Sequence, residues 1–303
     1  MKILVTGGSG LVGNHLKKYL PNAIYTSSKD YDLTLENDVI RLFHDHKPNI
    51  VIHLAAKVGG IIDNIQKPAE YFDENILMNT FMLKYSKLNN VDRFIGILST
   101  CIYPDKVTNY PMTESDLHLG PPTQTNFSYG YSKRSLAVQI DSYNQQYGTK
   151  YQYLIPCNLY GVGDKDEEDK SHFLTALIKK IVDAKLEGKT KIELYGDGTP
   201  LRQFLFAEDF AKIIYEVINQ NICESFNVAG DENLSINEMV QIALKVCNSD
   251  YLQIEWNREK PNGQFRKDVS NKKMKTLLPN FNLLNLEEGI KKVYQSYNDK
   301  ISQ

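Results

Sequence analysis

Tyr129 and Lys133 stand four residues apart in Tyr129-Gly130-Tyr131-Ser132-Lys133. On a helix that spacing stacks both side chains on one face. There an ammonium depresses the phenol's pKa and readies it to exchange a proton with a carbonyl oxygen. Ser99-Thr100, at the end of an earlier apolar run, supplies a hydroxyl for the same carbonyl. Y-x-x-x-K is common on surface helices, so its weight comes from its place after a fourth βα unit.

A second group of residues is built for phosphate. Gly7, Gly10 and Gly13 follow the first apolar run and open the first helical stretch. Glycines at this spacing permit a tight turn and let a pyrophosphate approach the backbone N–H groups at the helix's positive end. The second strand ends in Thr26-Ser27-Ser28-Lys29-Asp30, two hydroxyls and a cation ahead of any carboxylate. Ser27, Ser28 and Lys29 would welcome a 2′-phosphate, which points to NADP(H). The alternative leaves Lys29 solvated and gives a free ribose to Asp30.

The elements that must carry these residues alternate along the chain. Short β-branched runs at 2–6, 23–26 and 50–54 are separated by amphipathic stretches at 12–20 and 35–46. The rhythm continues through helices near 73–90 and 129–147 and apolar runs at 93–99 and 151–157. It predicts an α/β fold, a Rossmann-type doubly wound parallel sheet, with a smaller C-terminal substrate-binding region. The division falls at 1–162 and 163–303, with segments near 200–230 returning to the first part. A helix over 172–187 and a strand over 190–195 open the second part.

Composition narrows the class. Lys plus Arg number 35 against 37 Asp plus Glu, for a net charge of −2, so nothing favours binding to nucleic acid. No run approaches the length of a membrane span, and the start of the chain carries no leader pattern, which predicts a cytoplasmic protein without membrane contact. Cys101, Cys157, Cys223 and Cys247 have no C-x-x-C spacing. They are expected to be reduced, and no metal site is expected.

The chain resembles the extended short-chain dehydrogenase/reductases, and within them the GDP-L-fucose synthases. The broader signs are Val5-Thr6-Gly7-Gly8, His53-Leu54-Ala55-Ala56, Ser99 and the Tyr129/Lys133 pair. The narrower ones are Ala56-Lys57-Val58-Gly59-Gly60-Ile61, Ser99-Thr100-Cys101-Ile102-Tyr103-Pro104, Asn158-Leu159-Tyr160-Gly161 and Asn262-Gly263-Gln264-Phe265-Arg266-Lys267. The likeness runs nearly end to end.

That resemblance implies hydride transfer from NADPH to the C4 ketone of a GDP-4-keto-6-deoxy sugar. Tyr129 would be the proton donor, Lys133 would hold the nicotinamide ribose, and Ser99 would orient the carbonyl. It also implies a base and an acid, Cys101 and His172, that invert C3 and C5 before reduction. Further cofactor contacts are implied at Leu11, Val12, Asp32, Leu33, Leu54 and Ala55, and at Ala56, Pro156, Asn158, Leu159 and His172. Substrate contacts are implied at Lys57, Ser99, Thr100 and Cys101, and at Lys180, Arg202 and Lys260. The family pairs through the helix bearing Y-x-x-x-K and the one near 73–90, which implies a homodimer.

Two places depart from the family pattern. Val162-Gly163-Asp164-Lys165 stands where Pro-x-Asp-Asn is usual, placing Lys165 at a substrate-facing Asn, and Tyr195 replaces a Trp. The altered 162–170 loop leaves a reductase acting alone on an already epimerised hexose or heptose as the nearest rival. A non-catalytic NADP sensor is more remote, because a sensor needs the glycines but not Ser99, Tyr129 and Lys133.

Overall fold

The computed structural model describes residues 1–164 and 172–301. The first half contains β1 (Ile3–Thr6), α1 (Leu11–Tyr19), β2 (Ile24–Thr26), α2 (Glu36–His46), β3 (Ile50–His53), α3 (Ile61–Gln66), α4 (Pro68–Leu88), β4 (Arg93–Ile97), α5 (Phe127–Tyr147) and β5 (Gln152–Pro156). The second half contains β6 (Asn158–Tyr160), α6 (Phe173–Leu186), β7 (Lys191–Tyr195), β8 (Leu201–Arg202), β9 (Phe204–Phe206), α7 (Ala207–Asn219), β10 (Phe226–Val228), β11 (Leu234–Ser235), α8 (Ile236–Val246), β12 (Gln253–Asn257), α9 (Lys272–Leu277) and α10 (Leu286–Ile301).

Six strands form one parallel sheet in the order β10-β5-β4-β3-β1-β2. β1, β3, β4 and β5 are buried at every position, apolar but for one polar residue at an end of each, as strands covered on both faces are. The chain steps from β1 outward to β2 and then back past β1 to β3. Right-handed crossovers therefore put α1 and α2 on opposite faces. α2 packs with α4, and α4 with α5, while α1 packs with α7. The reversal between β1 and β3 opens a crevice at their carboxyl ends, which is where such sheets bind ligands.

A second hydrophobic core lies apart from the sheet, formed by Leu174, Ile178 and Ile181 of α6, Met239 and Leu244 of α8, and Ile290 and Val293 of α10. Three two-stranded ribbons accompany it: β6 with β9, which packs on both cores, β7 with β12, which packs on the second, and β8 with β11. α7 and β10 return to the main sheet before the chain finishes in the second core.

The sheet's ligand-binding edge is tied together by a buried polar chain. Ala55 N–H donates to Thr6 Oγ1 (3.4 Å), which lies 2.8 Å from His53 Nδ1. His53 Nε2 lies 3.1 Å from Asn79 Oδ1, and Asn79 Nδ2 donates to the Ser132 carbonyl. The chain thus connects the residue before Gly7 to the residue before Lys133. His53 is wholly buried, and desolvation, with Lys133 nearby, pushes its pKa down to about 3.

Between pH 6.5 and 3 the unfolded chain binds a proton at His53 that the folded protein does not. Stability is therefore full above 6.5 and falls on acidification. From this group alone the slope is about 1.4 kcal/mol per pH unit. Urea midpoints measured across this range should fall less steeply for His53→Gln than for the wild type; equal slopes would contradict the assignment.

Candidate active site

The glycine turn is shaped by contacts that a side chain would break. Gly7 has φ +69°, and a Cβ there would lie 2.8 Å from Ala55 N. A Cβ at Gly13 would lie 2.7 Å from Gly8 Cα, so α1 packs directly on the turn. Gly10 is the N-cap of α1 and brings no side-chain acceptor, which leaves the helix's first N–H groups available to an anion. Leu11 is buried, Val12, Leu54 and Ala55 are partly buried against the core, and Ala56 follows β3 at the crevice. This is a cradle with room only for backbone and ligand, and it fits a dinucleotide pyrophosphate.

At the end of β2 the loop is more ordered than its sequence advertises. Ser27 donates to Asp30 Oδ2 through both its amide and its hydroxyl, each at 2.8 Å. Those bonds hold the Asp30 carboxyl below the usual carboxylate range. Ser28 and Lys29 form the tip, with the Lys29 amide donating to Ser27 Oγ. A second cation stands beside this loop: Arg41 of α2 donates to the Asp30 carbonyl at 3.2 Å, with its guanidinium 5.0 Å from the Tyr31 ring centre. Asp32 accepts from the Thr34 amide and hydroxyl, and Leu33 is buried in the core.

Ser99, Cys101 and Tyr129 come together where β4 ends against the first turn of α5, with Lys133 one turn further along the helix, near His53. Gly130 makes the approach possible, because a Cβ there would lie 2.7 Å from the Cys101 carbonyl oxygen. Arg134 locks it by donating from Nε to the Ile102 carbonyl at 2.7 Å. The Cys101 amide donates to Ser99 Oγ (3.3 Å), and Thr100 is buried in the turn between them. Tyr71 of α4, fully buried, sets its ring edge-on to Tyr129 at 6.3 Å.

Electrostatics in this group follow from burial. Lys133 is 2% exposed, and desolvation pushes its ammonium down to about 8. The depression of the Tyr129 phenol expected from the Lys133 spacing is not what the folded site gives: burial raises the phenol well above its ordinary value, the Cys101 sulfur adds to the rise, and only the neighbouring Ser99 hydroxyl opposes it. Tyr129 is thus held protonated, as a proton donor must be. Burial also pushes the Cys101 thiol up, but Lys267, Ser99 and Arg202 outweigh it and leave the thiol below its ordinary value. Arg202, desolvated beside Cys101, falls to about 10.

His172 is the N-cap of α6, and both its amide and its Nδ1 lie on Asp164 Oδ2, at 2.9 and 3.0 Å. An ionised carboxylate only accepts, so Nδ1 carries the proton and the ring's orientation is fixed.

The remaining expected contacts are dispersed. Pro156 ends β5, Leu159 packs on the main core, and Asn158 Nδ2 donates to the Gln203 carbonyl at 2.7 Å. Lys180 donates to the Glu193 carbonyl at 3.1 Å and lines a concave polar surface with Lys179, Asp183 and Lys191. Lys260 sits 5.7 Å from the centre of the exposed Tyr195 ring. Lys57 is clasped by Glu70 and Glu74 of α4, at 2.6 and 2.5 Å, so its charge is already matched within the chain. Lys165 lies outside the described residues.

Three residues at the site were not assigned roles from the sequence: Arg41, Asp164 and Lys267. Arg41 is twelve residues from Lys29 on a helix. Asp164 is hidden among a run of acids, and Lys267 meets Cys101 from 166 residues away. Only for Lys267 was there a signal, its place in the Asn262–Lys267 motif. Among the described residues no group of three His, Cys, Asp or Glu side chains is placed to hold a metal, and no helix is long and apolar enough to cross a membrane. All four cysteines are free.

A family model described as the NAD dependent epimerase/dehydratase family matches residues 3–229. The chain belongs to that family. Membership brings a nicotinamide dinucleotide cofactor, for which the glycine cradle is built. Family relatives include a GDP-L-fucose synthase of Dictyostelium discoideum, 35% identical across 98% of this chain and 95% of the relative. A GDP-L-colitose synthase of Yersinia pseudotuberculosis is 35% identical across 98% of each. Among solved family structures, a GDP-L-fucose synthetase of Naegleria fowleri bound to NADP superimposes with a TM-score of 0.87. It is 31% identical and covers all of this chain and 94% of that one. A GDP-6-OMe-4-keto-L-xylo-heptose reductase of C. jejuni superimposes at 0.91, with 25% identity over 99% of this chain and 98% of that one.

Proposed function

We propose that the protein is an NADPH-dependent C4 reductase of a GDP-4-keto-6-deoxy sugar that first inverts C3 and C5 of the same substrate. The observation that carries this reading is the grouping of Ser99, Cys101, Tyr129 and Lys133 at one end of the sheet, beside the glycine cradle. The cofactor, when bound, supplies a hydride to the ketone carbon. Gly7, Gly10, Gly13 and the first turn of α1 hold its pyrophosphate, and Lys133 holds the nicotinamide ribose. Ser99 orients the C4 carbonyl, and Tyr129 delivers the proton to its oxygen as that oxygen gains charge.

Before reduction the same carbonyl acidifies the hydrogens at C3 and C5. Cys101 as a thiolate takes such a proton: the C–H bond breaks, an S–H bond forms, and the electron pair moves onto the C4 oxygen held by Ser99 and Tyr129. His172, oriented through Nδ1 by Asp164, gives a proton carried on Nε2 to the other face of the same carbon as the electron pair returns from the C4 oxygen to form the new C–H bond; exchange with solvent then resets the thiol and the imidazole. Arg202, Lys180 and Lys260 supply positive charge for the GDP diphosphate. The reading places the enzyme in the cytoplasm. The test is purified protein with NADPH and a panel of GDP-4-keto hexoses and heptoses, products identified by NMR. Reduction at C4 with inverted C3 and C5 is expected, and no turnover with any of them would favour the sensor.

A second reading, reduction of an already epimerised hexose or heptose, draws support from the C. jejuni reductase likeness at a TM-score of 0.91 and from Lys165 at the family's Asn position. In that case the product keeps its incoming configuration at C3 and C5.

The cofactor preference follows from the β2 loop. Lys29 and Arg41 bring two cations to the place where NADP differs from NAD. One desolvated charge-assisted contact is worth roughly 1.5–3 kcal/mol, so NADPH should exceed NADH by about ten-fold to a hundred-fold in kcat/KM. Equal values for the two cofactors would contradict the assignment.

The reading also includes a homodimer. Phe72 and Leu77 of α4 and Val138 and Tyr147 of α5 are exposed apolar residues on the two packed helices expected to pair. Light scattering should give twice the 34.7 kDa chain mass. A monomer at micromolar concentration would remove this part of the reading.

A further inference from the structure

Lys267 Nζ lies 3.5 Å from Cys101 Sγ. Its position is set by the frame around it. Gln264 donates to the carbonyls of Pro104 and Asp105 at 3.2 and 3.0 Å. On the other side Met112 N–H donates to the Asp268 carbonyl, Ser270 N–H to the Met112 carbonyl, and Val269 N–H to Gln203 Oε1. The neighbouring carboxylate is taken: Asp268 pairs with Arg266 through Nε (2.6 Å) and a terminal guanidinium nitrogen (3.1 Å). Among the described residues, Cys101 Sγ is the acceptor that Lys267 Nζ has.

A desolvated ammonium is costly without an anion beside it, and the thiol is the group able to become one. The groups facing Cys101 from the surrounding elements are Lys267 and Arg202, both cationic, with the Ser99 hydroxyl and the Tyr129 phenol. Cys157 faces Lys267 as well, but burial pushes that thiol up to about 12 and keeps it neutral. The imidazole that would ordinarily ionise a catalytic thiol, His172, is hydrogen-bonded through Nδ1 to Asp164.

We infer that Lys267 is the positioning residue that stabilises the Cys101 thiolate, pairing it with an ammonium at 3.5 Å. The role assigned to that thiolate rests on the reading of Cys101 as the base; the pair itself does not. When Cys101 takes a proton from the sugar, the thiolate's charge is replaced by the enolate's, and Lys267 remains beside it. The site's net charge is the same before and after, so no new charge has to be desolvated during the step.

The test is the pH dependence of Cys101 alkylation by iodoacetamide, with peptides resolved by mass spectrometry to separate the four cysteines. The wild-type inflection is expected below a free cysteine's value of about 8.5. Lys267→Met should raise it by a unit or more and slow alkylation at pH 7 by about ten-fold, while Lys267→Arg restores it. An independent arm needs no lysine variant: thiolate absorbance at about 240 nm, titrated as the difference between wild type and Cys101→Ser, should show the same low inflection. An inflection at or above 8.5 in the wild type, or one unmoved by Lys267→Met, overturns the inference. A low inflection without exchange of sugar protons would leave the ion pair standing and sink the base.

Discussion

Tyr129→Phe lowers NADPH-dependent ketone reduction by about 10²–10⁴-fold, the usual loss for a positioned general acid. Removing one oxygen leaves the ring against Tyr71 and the packing of α5 on the Ser99–Cys101 turn, and the glycine cradle is untouched. NADPH binding, followed by fluorescence titration, should therefore stay within about two-fold while turnover collapses. Lys133 adds a pH signature. Its ammonium, at about 8 because of burial, is charged below that value. The kcat/KM of the wild-type reductase should then fall as pH rises through it. Near-normal turnover in Tyr129→Phe would show that another group delivers the proton.

Cys101→Ser separates the two halves of the chemistry. In D₂O the wild type should return deuterons to C3 and C5 of the product, because the proton that His172 delivers to the opposite face has exchanged with solvent. The serine variant should lose that label by about 10²-fold or more, since an alcohol far above its working pH is a poor base, yet still reduce a substrate already epimerised. Unlabelled product from active wild-type enzyme would remove the epimerase and leave the reductase. His172, Asp164 and Lys267 would then need another explanation.

Much of the frame was legible because its signals are local. The Gly7–Gly13 turn, the Tyr129–Lys133 spacing and the alternation through β5 depend on neighbours within a few residues, and helix α5 ends at Gly148, with φ +64°, where a left-handed cap favours glycine. The second region was harder. β7 pairs with β12, and β6 with β9, across about forty-five to sixty residues, and short strands paired at such distances carry little periodicity of their own. The same limit explains the site. Lys267 reaches Cys101, and Arg41 the β2 loop, only after folding. Lys57 lies in a motif that implies substrate contact, yet Glu70 and Glu74, one turn apart on α4, meet it first. Asp164 looks like one member of a solvated acidic run until α6 brings His172 onto its carboxylate.

The most direct test of the central claim follows the hydride itself. Purified protein would be given NADPH carrying deuterium at both C4 positions of the nicotinamide, with GDP-4-keto-6-deoxy-mannose and related GDP-4-keto sugars, and the products read by NMR. One deuterium is expected at C4 of the sugar for each NADPH consumed, with Tyr129→Phe suppressing its appearance. Consumption of NADPH without label at C4, or no consumption with any of these sugars by a protein that binds NADPH, would contradict that claim.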